Sequence, residues 1–367
     1  MASRESLVLN LIVKDEAKII RRCLASCKPH VGAYCIVDTG STDGTQQLIR
    51  DFMGDMPGEV VERPWRNFGH NRTEAFALTR RWGELALLMD ADHVLESATL
   101  EAIKNGFDEY LVTITNGSMA YSLPRIVRTS KPIIFDGAAH EAIICPTESY
   151  LRLDPPLEGW LIREYGDSNR RASGHKFIDD IALLSKQLLE RPGDHRTMFY
   201  LAQSYRDAGI SALALEWYQR CVDVGGWDEQ VWYSQYQVGN VLEGMGKWPE
   251  AAAAYLKAYN MRPSRAEPMY RLALHYRKAC EYHTAYLYAK TAASIPRSRD
   301  HLFVEVEIYE WRALDEQAIC GFWVGTAEAR EAAQINDRLL SSEIVPHAER
   351  AHIEANQRHC LAKAAQA

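Results

Sequence analysis

Through the first half of the chain, short apolar runs alternate with segments whose apolar residues recur every three or four positions, a pattern that predicts strands and helices in turn. Leu7 to Val13, Tyr34 to Asp38, Glu59 to Glu62 and Leu85 to Met89 read as strands, and Ala17 to Cys27, Thr45 to Met53 and Arg72 to Arg81 as the helices between them. Such a βαβ series folds into a largely parallel sheet with helices on both faces. Past Asp92 the runs shorten (Tyr110 to Ile114, Tyr121 to Val127, Ile133 to Phe135), which predicts an irregular subregion.

Beyond Gly174 the strand signals stop, and Ala, Leu, Tyr and Glu recur at helical spacing. Leu201-Ala202, Tyr205, Ala214 and Tyr218 align with Val238-Gly239, Leu242, Ala251, Tyr255, Ala258 and Pro263, and these with Leu272-Ala273, Tyr276, Ala285, Ala289 and Ala292, at offsets of 37 and 34 residues. The pattern resembles tetratricopeptide repeats, in which a small residue lets one helix approach the next and an aromatic fills the gap. Phe177 to Leu189 would lead the stack, with Leu302 to Ala318 and Ala327 to Leu340 closing it. The division expected is 1–170, an α/β domain, and 171–367, an all-α repeat domain.

At 367 residues, 47% hydrophobic and 25% charged, the chain has the balance of a globular protein of two or three domains. A formal charge of −7 leaves no basic footprint for tight nucleic-acid binding. The eight cysteines form no CxxC pair and sit mostly in apolar context, as free thiols of a reducing, cytoplasmic compartment do. Met1 to Ser6 lead directly into a strand, the wrong flank for a signal peptide, and no apolar run is long enough to span a membrane.

The candidate chemistry gathers at strand ends. Asp90-Ala91-Asp92 follows the run Leu85 to Met89, so two carboxylates project from the C-terminal end of a buried strand, where an α/β sheet holds ligands. Carboxylates at this spacing suit a hard divalent cation that keeps positions open for phosphate oxygens. Asp92 is the first choice as metal ligand, with Asp90 as ribose or metal partner. Asp38 ends a second strand before Thr39-Gly40-Ser41-Thr42-Asp43-Gly44-Thr45, a turn that opens a helix and turns its amides toward phosphate. Arg72 offers a fork of donors to a phosphate or a base edge, and Arg170, Arg171 and Lys176 form a cationic loop able to close over a ligand.

Leu9-Asn10-Leu11-Ile12-Val13-Lys14-Asp15-Glu16, the Asp38 to Thr45 stretch, Asn67-Phe68-Gly69-His70-Asn71-Arg72 and Leu88-Met89-Asp90-Ala91-Asp92 resemble, in this order, the GT-A (Rossmann-like) domain of family 2 glycosyltransferases over residues 5 to 170. A GT-A domain followed by such repeats is similar to bacteriocin peptide S-glycosyltransferases and phage-type transferases. The resemblance implies an inverting transferase moving a hexose or pentose from a nucleotide sugar, a UDP-sugar foremost. Asn10, Lys14, Glu16, Asp38, Asp43, Asn71, Arg72, Asp90, Arg170 and Lys176 would bind this donor. His140-Glu141 matches a later pair that supplies a further metal ligand in relatives, so Asp90, Asp92 and His140 are the expected metal set, and an imidazole suits manganese better than magnesium. Inversion needs one carboxylate as base, with Glu141 ahead of Asp136.

The acceptor is left open between a peptide, a glycan and a modified nucleic-acid base, and there is room for an oligomer. Tyr200, Tyr205, Trp217, Tyr218, Trp232, Tyr233, Tyr236 and Tyr270 exceed what a repeat core needs, so some are expected on the surface, where they would help hold the acceptor. Two rivals are a repeat scaffold with a degenerate transferase half, against which intact Asp38, Asp90, Asp92 and His140 count, and a nucleotidyltransferase, disfavoured by the lack of a Gly-rich, Lys/Arg-bearing loop at the first strand.

Overall fold

Continuous apolar runs become strands buried on both faces. The computed structural model describes residues 4–147 and 149–365. In it β1 (Leu7–Val13), β2 (Ala33–Asp38), β3 (Gly58–Glu62) and β4 (Leu85–Leu88) pair in parallel in the order β3-β2-β1-β4. Leu7, Leu9 and Leu11 pack in one core cluster with residues of α1 (Ile20–Cys27) and α2 (Thr45–Met53). Val8, Ala33 and Cys35 face the other way, against Leu78 of α3 (Phe68–Thr79) and Trp82. Because β2 and β4 flank β1, the chain changes direction of strand addition there. Val13 pairs with Asp38 and Asn10 with Leu88, so the C-terminal ends of β1, β2 and β4 open on one crevice.

The sheet continues through β5 (His93–Ser97), β6 (Glu109–Asn116), β7 (Met119–Arg128) and β11 (Leu161–Glu164), in the order β4-β7-β6-β11-β5. Strand β7 runs antiparallel to β4 and β6, and β11 antiparallel to β5, which brings Glu164 beside His93. β8 (Ile134–Asp136) and β9 (Ala142–Ile144) form a separate ribbon, and β10 (Arg152–Leu153) adds to β6. The irregular subregion is therefore mixed, with β7 antiparallel to both its neighbours, β10 and β11 parallel to β6, and β11 antiparallel to β5, and β5 and β11 are not legible as strands in the sequence. α3 also starts earlier than the expected Arg72, because Asn67 caps it by accepting from the His70 amide at 2.8 Å.

The chain divides into two compact units, 1–210 and 211–367. Composition changes at 170, where strands end, yet α4 (Asn169–Ala172), α5 (Lys176–Glu190) and α6 (His195–Asp207) lie in the first unit. Gln187 Oε1 accepts from the Ala138 amide at 2.5 Å, and Arg196 Nε donates to the His140 carbonyl at 3.1 Å.

The second unit holds α7 (Ser211–Val224), α8 (Asp228–Gly244), α9 (Trp248–Met261), α10 (Glu267–Lys278), α11 (Tyr282–Ser294), α12 (Ala313–Val324), α13 (Thr326–Leu340) and α14 (His347–Ala364). Consecutive helices pack as hairpins, α8 with α9, α10 with α11 and α12 with α13. Gly239 on α8 lies under the Tyr255 ring of α9, where a Cβ would collide with the ring. The helix expected over Leu302 to Ala318 is not continuous: residues up to 303 are irregular, a π-helical turn occupies Ile308–Arg312, and α12 begins at Ala313. The surplus aromatics are mostly interior, with Tyr218, Trp232 and Tyr236 at most 1% exposed and Tyr200, Tyr233 and Tyr270 at most 8%. Tyr205 and Trp217 are half-buried. All eight cysteines are free thiols.

Candidate active site

Two loops close the ends of β1 and β2 on each other. Asp15, at φ 55°, donates its amide to Ser41 Oγ at 2.8 Å and accepts from the Thr42 amide at 2.7 Å. Asp43 accepts from the Ala17 amide at 2.9 Å and from Thr45 Oγ1 at 2.6 Å. Its carboxylate is therefore a loop clasp, and it does not face a ligand. Asn10 is likewise not at the crevice: it is 2% exposed and its amide donates to Thr79 Oγ1 at 2.8 Å and to the Cys35 carbonyl at 3.3 Å. Asn71 is fully buried, tying Arg66 and Pro64 at 3.0 and 3.1 Å. Lys14 is exposed at the end of β1.

Asp38 is different. One oxygen accepts from the amides of Gly40 and Ser41 and from Gln46 Nε2 at 2.8–3.0 Å, while Oδ2 is buried with no hydrogen-bond partner among the described residues. A buried acceptor left open is costly unless something donates to it.

At the end of β4 the two carboxylates have opposite surroundings. Asp90 is paired on both oxygens, Oδ1 with Arg72 and Oδ2 with Arg125 at 3.2 Å, and the His93 ring lies 3.5 Å away. Burial acts to raise its carboxyl, but Arg72 and Arg125 outweigh it and hold the group far below the usual carboxylate range. Asp92 is 9% exposed, and no cationic side chain pairs with its carboxylate among the described residues. Burial, reinforced by the charges of Asp90 and Glu164, raises it to about 6. Glu16 shares this field: burial, with the charges of Asp92, Asp43 and Asp167, raises it to about 7, although its Oε2 accepts the Asn169 amide at 3.0 Å. Lys176 supplies a counter-charge to Asp92. Burial keeps His93 neutral, with its pKa lowered to about 4.

The expected metal set is not assembled. No three His, Cys, Asp or Glu side chains come together as metal ligands among the described residues. Asp90 is taken by two arginines, and His140, at φ 52°, stacks on the Tyr200 ring with its Nε2 3.8 Å from Asp180. Without that imidazole the preference for manganese loses its basis. Asp92 and Glu16 still fit a divalent ion, since both are hard oxygen donors, buried, carrying raised pKa values and without a cationic partner at contact.

The two candidate bases are also engaged. Glu141 pairs with Arg72 Nε, so that Arg72 bridges it to Asp90, and Asp136 pairs with Arg191 at 2.8 Å. Arg170 does not point at the crevice freely either, since it pairs with buried Asp180 at 2.6 Å and lies over the Phe68 ring. Arg125, Glu164 and Asp180 had escaped notice in the sequence. Their signal was a charge inside or next to an apolar run, as in Pro124-Arg125-Ile126-Val127, which becomes meaningful only once β7 is set beside β4.

The loop carrying Glu141 rests on Gly69. Its amide and that of Phe68 donate to Gly137 and Ala138 at 3.1 and 3.2 Å, and a Cβ on Gly69 would run into the carbonyl oxygens of Phe135 and Gly137. Gly69→Ala is expected to cost about 1–3 kcal/mol, the scale of overpacking against rigid backbone, read as a lowered midpoint in urea unfolding; an unchanged midpoint would mean the loop yields freely.

Residues 11–189 match the family model of glycosyl transferase family 2. A TPR repeat-containing protein of Synechococcus elongatus is 28% identical over 183 residues, covering 45% of this chain and 43% of that protein. The chain thus spans less than half the length of that relative. Among solved structures, BtubC from P. vanneervenii is 12% identical with a TM-score of 0.40, covering 54% of this chain and 85% of that one. A tetratricopeptide repeat protein from Parabacteroides merdae is 15% identical with a TM-score of 0.38, covering 52% and 72%. The crevice at the ends of β1, β2 and β4 lies within the matched residues, and the chain carries a family 2 glycosyltransferase domain of GT-A type followed by helical repeats of the tetratricopeptide type.

Proposed function

We propose that the protein is an inverting, metal-dependent glycosyltransferase whose nucleotide-sugar donor, a UDP-sugar foremost, sits at the ends of β1, β2 and β4. The observation that carries this reading is the Asp92 carboxylate, buried at the end of a parallel strand beside Glu16 and without a paired cation. Asp92 would hold a divalent cation with Glu16 next to it, and such an ion neutralises charge on the departing diphosphate. Asp38 Oδ2 would accept from the base or ribose. Arg72 and Arg125, oriented by Asp90, and Lys176 would supply the cationic groups toward which phosphate charge develops, offsetting the surrounding carboxylates. Glu141 would take the acceptor proton, and a shift of Arg72 toward bound diphosphate would free it to do so.

A thermal-shift panel of nucleotide diphosphates and nucleotide sugars, each with manganese, magnesium or chelator, tests the reading. A cognate donor at 100 times its Kd should stabilise by about 2.7 kcal/mol, and only with metal. The panel also sorts the ion and the sugar; transfer assays with peptide, glycan and modified-base acceptors sort the acceptor. In calorimetry, Asp92→Asn should remove the metal-dependent part of nucleotide affinity; undiminished metal-linked affinity would sink the assignment.

A further inference from the structure

The loop between β8 and β9, residues 137–141, is held through its main chain by other elements of the first unit. On one side the amides of Phe68 and Gly69 donate to the carbonyls of Ala138 and Gly137. On the other side, side chains of α5 and α6 reach it. Gln187 Oε1 accepts from the Ala138 amide at 2.5 Å, and the Arg196 guanidinium donates to the carbonyls of His140 at 3.1 Å and Glu141 at 3.4 Å. Gln187 is itself fixed, since its Nε2 donates to Thr197 Oγ1 at 2.7 Å and Asp194 Oδ2 at 3.2 Å. The Tyr200 ring carries both the His140 imidazole, stacked at 4.3 Å, and the Arg196 guanidinium at 4.9 Å. His140 lies at φ 52°, a left-handed backbone that a non-glycine residue keeps only where its surroundings over-determine it.

We propose that Arg196, supported by Gln187, is a positioning residue for Glu141, and that the α5–α6 hairpin is thereby a working part of the transferase unit, although its sequence reads as the head of a repeat stack. In the ligand-free chain the Glu141 carboxylate is also held by its pair with Arg72. That hold ends when Arg72 turns toward diphosphate, and the place of the carboxylate then depends on the backbone that carries it. Gln187 and Arg196 grip peptide groups, which stay where they are when a carboxylate changes partner. A guanidinium fork on two successive carbonyls fixes orientation as well as position, which a lysine ammonium does not. Such support matters because displacing a reacting group by about 1 Å costs about 100-fold in rate. The nearby Arg191–Asp136 pair adds little, since its side chains are 54% and 33% exposed. The inference rests on the assignment of Glu141 as the base.

The test uses the full chain and reads UDP release from UDP-glucose with manganese. Arg196→Ala should lower kcat by about 100-fold and leave KM within about twofold. In a Glu141→Gln background the same change should lower kcat by less than about threefold, because residues that act through one group are not additive. Equal losses in both backgrounds, or a raised KM with kcat intact, overturn the proposal. A second arm needs no turnover. In the ligand-free chain, amide exchange at Phe68, Gly69 and Ala138 should quicken in Arg196→Ala while the amides of α6 keep their protection; unchanged exchange at those three refutes the hold. If the wild type releases no UDP, or Glu141→Gln matches it, the base assignment fails on its own, and the exchange arm alone decides whether α5 and α6 hold the loop. Should Arg196→Ala not fold, Arg196→Lys, which keeps the charge and loses the fork, should show the same pattern at smaller size.

Discussion

Asp90→Ala is expected to destabilise the N-terminal unit by about 3–5 kcal/mol, because it leaves the guanidiniums of Arg72 and Arg125 buried without their shared partner. At this size the loss lowers Tm by about 10 °C. The side chains concerned are 12% exposed for Arg72, 10% for Arg125 and 27% for Asp90, so little water screens the change. Asp90→Asn, which keeps the shape and loses the charge, should fall between. A metal ligand with no other duty would behave differently, since its removal relieves repulsion in the ligand-free protein. Thermal unfolding of the metal-free variants separates the two: an Asp90→Ala midpoint equal to wild type would show that the arginines find other partners and that the pair is not a structural hub.

The strand ends were legible because an apolar run that stops at an acid has one meaning in a parallel sheet, and Asp38, Asp90 and Asp92 all end such runs. What those acids do was less legible. Asp90 and Asp92 are two residues apart and identical in type, yet one is clamped by Arg72 and Arg125 and the other has no cation paired to it; the difference comes from β7, whose antiparallel return brings Arg125 from far along the chain. His140 carried a family expectation, but α5 and α6 supply Asp180 and Tyr200 to its ring. In the repeats, residues 302–305 have helical spacing in sequence, and side chains of Glu229, Arg265 and Glu267 draw their backbone into an extended path instead. The same residues account for two of the eight aromatics of which some were expected on the surface: Tyr233 packs against Phe303, and Tyr236 donates to Glu305.

Asp92→Asn is expected to have the opposite sign on stability from Asp90→Ala and a larger effect on turnover. The Asp92 and Glu16 carboxyls, raised to about 6 and about 7, hold protons more tightly in the folded than in the unfolded chain. The ligand-free protein should therefore gain stability as pH falls from 8 through these values, the full contribution being present below the ordinary carboxylate range. Asp43, Asp90, Asp167 and Asp180 are lowered, so their contribution is present above that range and is lost as pH falls further. Maximum stability of the ligand-free chain then falls on the acid side of neutrality. At pH 8, Asp92→Asn or Glu16→Gln removes a like-charge cost and should stabilise by about 1–2 kcal/mol, an order-of-magnitude figure for one displaced carboxyl. Turnover in Asp92→Asn should drop by about two orders of magnitude or more, the scale of losing one preorganised electrostatic group. Divalent metal with nucleoside diphosphate should flatten the pH dependence of the wild type and leave that of the variant unchanged. A variant that is less stable than wild type at pH 8, or as active, would mean that Asp92 is a structural acid and that the cation, if the reaction uses one, is held elsewhere.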